Sequence, residues 1–269
     1  MAYEKFCDPY LPHNRVKRAF VSQLMPESML NELRDMMVKP YVMGKSHNMT
    51  GELAYHPDIL INNCKKGIWI TEHDPRYIPQ DFPYKLIHES ETELQNLYPD
   101  DCPFNNFRIA HALVCGKCVD YTIRAFAEYE DRLIIYVPQG YTKCCTVLVN
   151  ERAVITTDQT IHRFMRKHGF DVLRIEDSAT IKLRGYSCGM IGGCAGKIAE
   201  DLIVFTGNLN SYQYGDDIKD FCRNYHVDCY SLTNQPMYDY GGILPITEIT
   251  HNQEEDVSDI FNYKIPEIY

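Results

Sequence analysis

Cysteine is the residue type with the most chemistry to offer in this chain, at 11 of 269 residues. A thiol acts as nucleophile or metal ligand only as the thiolate, and an ordinary one titrates near ~8.5. A reactive cysteine therefore needs positive neighbours. One Cys-x-x-Cys occurs, Cys115-Gly116-Lys117-Cys118. A structural zinc site takes a second pair, and neither Cys144-Cys145 nor Cys188 with Cys194 has the usual spacing. No metal and no cofactor are expected, and Cys115 and Cys118 would be the first suspects if zinc were found. The glycine-rich run Cys188–Lys197 lacks the Gly-Lys-Ser/Thr ending of a P-loop and the Gly-x-Gly-x-x-Gly of a dinucleotide site. Its glycines fit a strand that approaches another backbone closely. His162 and His168 are six apart, not the four of a helical metal pair. Most of the cysteines read as small apolar fillers of strands.

The elements that must position such residues fit a soluble globular chain. Lys+Arg of 27 against Asp+Glu of 37 gives a net charge of −10. That disfavours a nucleic-acid backbone or an anionic membrane as partner. Apolar runs such as Leu133–Val137 are far too short to span a bilayer. The N-terminal residues have no signal-peptide core, and the cysteine count is odd, so free thiols in the cytoplasm are expected. A homodimer is left open. Along the chain a unit of strand, strand, helix and strand recurs. One copy spans 140–176, with Asp158 or Thr157 as N-cap and Gly169 as stop; others span 103–137 and 186–232. In the copy at 56–95 the helix is degraded to a proline-rich stretch. The last is split across the termini, with residues 238–247 supplying the opening strand and 17–44 the rest. Five such units closed through joined termini predict a single α/β domain, a five-bladed ββαβ propeller with pseudo-five-fold symmetry. An ordinary α/β sheet is the alternative. In the ring, the first strands line a central channel. The tail Gln253–Asp259 is acidic and expected in solvent, while Ile260, Phe261, Tyr263 and Ile265 are expected to dock back or meet a partner.

This ring resembles the pentein, or guanidino-group-modifying enzyme, superfamily of arginine and agmatine deiminases, dimethylarginine dimethylaminohydrolases and amidinotransferases. Gly140-Tyr141-Thr142-Lys143-Cys144-Cys145-Thr146 is similar to the family's nucleophile segment, with Lys143 where the family has histidine. His56-Pro57-Asp58 resembles its general-base segment, and Asp239-Tyr240-Gly241-Gly242 its acidic residue beside paired glycines. The order of these segments agrees with the family only after circular permutation. The chain as a whole is also similar to an uncharacterised bacterial group of that fold.

The resemblance implies a cysteine-dependent enzyme acting on a guanidino or amidine compound, a hydrolase or deiminase rather than an amidinotransferase, through a thiouronium-type intermediate. Cys144 is then the nucleophile, His56 the acid and base, and Asp239 either orients His56 or accepts guanidinium hydrogen bonds. Guanidinium carbon is a poor electrophile, so carboxylates must hold the cation while an imidazole protonates the leaving nitrogen. Asp58 suits the first task, because guanidinium's planar fork favours carboxylates. Lys143 could lower the thiol's pKa, and Asn106 and Arg108 could bind a substrate carboxylate or amide. Because neighbours in a strand face opposite ways, Cys145 is expected to point into the core when Cys144 faces the channel. The alternative is a non-catalytic member of the fold, a small-molecule binder or an interaction module.

Overall fold

A computed structural model of the chain describes residues 2–177 and 179–262. Its strands form five small sheets, four of three strands and one of four. Each three-stranded sheet has an antiparallel hairpin followed by a crossover to a parallel third strand. In the third unit Thr146–Leu148 pairs antiparallel with Ala153–Thr156, which pairs parallel with Asp171–Arg174. The helix Gln159–Lys167 makes the crossover. The Asp158 side chain caps it, accepting from the backbone N–H groups of Thr160 and Ile161. Ile161 and Met165, four apart, are its buried face, and Gly169 ends it at φ +85°. The second unit repeats this with Phe107–Ile109, Ala112–Cys115, a helix Tyr121–Tyr129 capped by Asp120, and Leu133–Tyr136. The fourth uses Ala195–Ala199, Leu202–Phe205, the helix Gly215–Arg223 and Asp228–Ser231.

The first unit has strands Ile61–Lys65, Ile68–Thr71 and Ile87–Glu89 but no crossover helix. Pro75, Pro79 and Pro83 punctuate the connection, and each lacks the N–H a helix interior requires. The fifth unit draws on both ends of the chain. Leu244–Thr250 runs antiparallel to Val16–Ser22, with Leu244 opposite Phe20, and Val16–Ser22 runs parallel to Lys39–Met43. The helix Glu27–Asp35 connects those two and buries Met29, Leu30 and Leu33. A strand the sequence reading did not anticipate, Tyr3–Phe6, pairs with the other edge of Leu244–Thr250. Tail residue Phe261 docks back beside Phe6, Tyr41 and Phe82, with the Arg18 guanidinium 4.4 Å from its ring centre. Tyr263 and Ile265 lie outside the described residues. Among the described residues no helix is long and apolar enough to cross a membrane.

Candidate active site

Just before the first strand of every unit the chain makes a tight turn, and these turns are hydrogen-bonded one to the next. Asn105 of the second unit donates its side-chain N–H to the Asp58 carbonyl of the first at 2.6 Å. Its Oδ1 accepts the N–H groups of Lys143 and Cys144 in the third, at 2.8 and 3.1 Å. Gly192 N–H of the fourth donates to the Cys144 carbonyl at 2.7 Å, and Gly242 N–H of the fifth to Gly193 at 2.8 Å. Asp58 N–H donates back to Gly241 of the fifth at 3.1 Å. The same stitch behind the turns recurs in three units: Thr71, Thr156 and Thr206, at the ends of second strands, donate to the carbonyls of Leu60, Cys145 and Cys194.

Glycines make this closeness possible. A Cβ on Gly193 would collide with the Asp239 carboxylate, and one on Gly241 would lie 2.5 Å from the Cα of His56. Gly241 also sits at φ +76°, where other residues are strained.

His56, Asp58, Asn105, Cys144 and Asp239 all project from these turns, each at most 2% exposed. His56 Nδ1 lies 3.6 Å from Asp239 Oδ1. Asp239 is held in turn by the N–H groups of Met190 at 2.8 Å and Gly241 at 3.0 Å. Burial lifts the Asp239 carboxyl above its ordinary pKa range; the charge of His56 opposes this and that of Asp58 adds to it. Asn105 Nδ2 donates to Cys144 Sγ at 2.9 Å. Two backbone N–H groups need the amide oxygen, which leaves the NH2 for the sulfur. Burial, then the negative charges of Asp58 and Asp239, push the Cys144 thiol well up. Among the described residues, neither oxygen of Asp58 nor either ring nitrogen of His56 has a hydrogen-bond partner. A buried polar group left unpaired costs about 1–3 kcal/mol, so this density of unmet capacity marks a site.

Four sequence expectations need correction. Cys144 and Cys145 lie in the turn before Thr146–Leu148, not in the strand, so strand alternation does not separate them. The turn does so: Cys144 meets Asn105, while Cys145 lies 3.4 Å from the Met190 sulfur. Arg108 is already engaged by a carboxylate rather than free, though its Nε and Nη2 have no hydrogen-bond partner among the described residues. Its Nη1 is 2.7 Å from Glu130, whose carboxylate also holds Arg132 and Lys65. Asn106 is spent on structure, with Oδ1 accepting from Asn62 and Nδ2 donating to the Pro103 carbonyl. The Lys143 ammonium turns to the Gly192 carbonyl at 3.2 Å, 5.5 Å from the Tyr10 ring centre, rather than to the thiol. Asn105, which contacts the thiol directly, escaped the sequence reading although it adjoins Asn106. Its only signal was its place two residues before a first strand.

Residues 20–244 match DUF6873, described as a family of unknown function. The chain belongs to that family. No curated protein matches it in sequence. Among solved structures, an agmatine deiminase of C. jejuni superposes with a TM-score of 0.51 at 7% identity, covering 86% of this chain and 90% of its own. SxtG, an amidinotransferase from Microseira wollei in the saxitoxin biosynthetic pathway, superposes with a TM-score of 0.50 at 9% identity, covering 84% and 91%. This DUF6873 member thus shares the α/β fold of the guanidino-group-modifying superfamily. No group of three or more potential metal ligands is found among the described residues.

Proposed function

We propose that the five sheets are the blades of a closed propeller, and that their turns form the active site of a cysteine-dependent hydrolase or deiminase acting on a guanidino or amidine cation. The cycle of hydrogen bonds from each turn to the next supports the ring. The observation that carries the chemistry is buried Asp58, its oxygens without geometric hydrogen-bond partners among the described residues and its charge acting on both Cys144 and Asp239, with His56 against Asp239.

A planar cation bound between Asp58 and Asp239 would meet their unsatisfied charge and offer N–H donors to the open carboxylate oxygens. It would also cancel the two charges that hold the thiol up, so Cys144 ionises when substrate arrives. The thiol proton passes to His56. The thiolate sulfur bonds the central carbon, whose C=N electrons move to nitrogen. His56 then returns the proton to the departing nitrogen as the C–N bond breaks, leaving a thiouronium on Cys144. Water, deprotonated by His56, adds to the same carbon and expels the thiolate. Asn105, donating to the sulfur, steadies the thiolate in both halves. Asp239 keeps the imidazole oriented.

Thermal-shift screening of agmatine, arginine, methylarginines, creatine and guanidine, followed by mass analysis of products, tests this reading. A stabilising cation converted to the corresponding urea, with ammonia or an amine released and one oxygen from water gained, supports it. The raised thiol favours one rival, a binder that holds the cation without attacking it. Saturable binding with unchanged ligand after long incubation would establish that rival.

A further inference from the structure

We propose that Cys102 and Cys118 form a redox dithiol that a peroxide closes to a disulfide, and that closure displaces the turn carrying Cys144. Their sulfurs are 3.6 Å apart. A disulfide needs ~2.05 Å, so closure must draw the two sulfurs together by about 1.5 Å. The two cysteines play different parts. Cys102 is buried, while Cys118 is half-buried and lines an open surface groove of about 500 Å³ beside Thr92, Pro99 and Lys117. The Cys102 hydrogen bond holds the Cys118 thiol below its ordinary pKa against the opposing effect of burial, and that bond, with burial, holds Cys102 above it. Because Cys118 is the one of the two that reaches the groove, it meets the oxidant, and buried Cys102 resolves it.

The step balances. The Cys118 thiolate attacks one oxygen of hydrogen peroxide, the O–O bond breaks, and hydroxide leaves to take up a proton as water. Cys102 sulfur then attacks the sulfenic sulfur of Cys118. The S–O bond breaks, a second water departs with the Cys102 proton, and the disulfide remains. Two thiols are oxidised and one peroxide is reduced.

The pair sits between the two segments that hold Cys144. The Cys102 carbonyl accepts the N–H of Asn105 at 3.1 Å. Gly140, which opens the turn to Cys144, packs against both sulfurs: a Cβ there would lie 2.5 Å from Cys102 Sγ and 3.3 Å from Cys118 Sγ. Closing the gap moves sulfurs that lie against Gly140 and a residue whose carbonyl anchors Asn105, so closure is passed to both segments. Cys115, the other half of the Cys-x-x-Cys, takes no part; its thiol is buried and pushed up to about 12. In a reducing compartment a disulfide of this kind is a transient sensor rather than a staple.

The reduced full-length protein is treated with a small excess of hydrogen peroxide, mapped without reduction, and followed by hydrogen exchange over residues 138–146. The expected result is a peptide linked through Cys102 and Cys118 ahead of modification at any other cysteine, reversed by dithiothreitol. Exchange over 138–146 should change at least severalfold in the wild type and stay unchanged in Cys118→Ser. Sulfinic or sulfonic acid at Cys118 without the link, or first oxidation elsewhere, overturns the dithiol. A link with unaltered exchange overturns its coupling to the turn. Neither readout depends on what Cys144 does.

Discussion

Two carboxylate centres in this molecule, one half-buried and one buried, are built on opposite principles. Glu130 is surrounded by three cations, with Arg108 and Arg132 at 2.7 Å and Lys65 at 3.2 Å. Partial burial works against its charge, but hydrogen bonds and charge from those partners hold its pKa at about 2. Asp58 is more deeply buried and, among the described residues, makes no ion pair; the Cys144 thiol is the one side chain that approaches it as a donor, without full hydrogen-bond geometry. The first centre has its charges paired, although Arg108 Nε and Nη2 still lack hydrogen-bond partners among the described residues. The second carries unmet negative charge, which a protein retains at a cost to stability only where something else binds. Arg108, expected from the sequence to reach a substrate, is held instead through Nη1 by the Glu130 carboxylate.

The largest expected effect tests the unfinished centre directly. Asp58→Asn should remove turnover of the stabilising cation by about 10³-fold or more, as should Cys144→Ser, because each takes away a group in contact with the reacting atoms. In the ligand-free protein Asp58→Asn should leave the melting temperature unchanged or raise it, since an unpaired buried charge is removed. Catalysis retained in Asp58→Asn, or a large drop in its melting temperature, would make Asp58 an ordinary structural carboxylate.

Glu130→Gln should do the reverse. Turnover is expected within about twofold of wild type. Stability should fall by about 2 kcal/mol, because Arg108, 5% exposed, loses its counter-charge. The pH dependence has a definite sign. The depressed carboxyl contributes stability that is full above its unfolded value near 4.5 and is lost as pH falls toward about 2. Urea melts of wild type and variant should therefore converge on acidification. A stable variant with impaired turnover would merge the two centres and dissolve the contrast.

The two centres also differed in how much could be read from sequence. The repeat was legible because each unit buries its second strand and four of them bury one helical face, which writes a periodic apolar pattern, framed in the third unit by the Asp158 cap and Gly169. The split fifth unit was legible for the same reason, since Ala19–Gln23 and Tyr238–Ile246 each lacked what the other had. At the turns, His56, Asp58, Cys144 and Asp239 were picked out by short motifs. Asn105 was not, because two adjacent asparagines look alike until the turn decides which one faces inward. The partnership of Arg108 with Glu130 was equally hidden. It joins a first strand to the segment after a helix, and no local pattern records that pairing.

Asn105→Ala carries a smaller effect. The Lys143 and Cys144 N–H groups would lose their acceptor and the thiolate its donor, at about 1–2 kcal/mol. Turnover should drop roughly tenfold through kcat, and the pH at which Cys144 becomes alkylable should move up, because a donor to the charged form has gone. Asn105→Asp should not rescue, since it adds a third negative charge beside the thiol. Unchanged alkylation behaviour in Asn105→Ala would reduce Asn105 to a backbone clamp.

The subtlest test concerns the thiol itself in the empty site. With its pKa raised in the folded state, Cys144 keeps its proton at a pH where the unfolded chain has already lost it. Wild-type stability should thus decline as pH rises past the ordinary thiol value, and this contribution is absent from Cys144→Ala. Buried Cys7, Cys145 and Cys194 are also pushed up, but they act equally in both proteins and cancel in the difference. The variant should gain on wild type by about 1 kcal/mol for each pH unit between roughly pH 8 and pH 10. A saturating cationic ligand should flatten that gain, since it neutralises the Asp58 and Asp239 charges that help hold the proton. Parallel stability curves without ligand would mean an ordinary thiol. A gain that the ligand leaves untouched would mean that the cation does not bind beside Cys144, and the unfinished carboxylates would then need another partner.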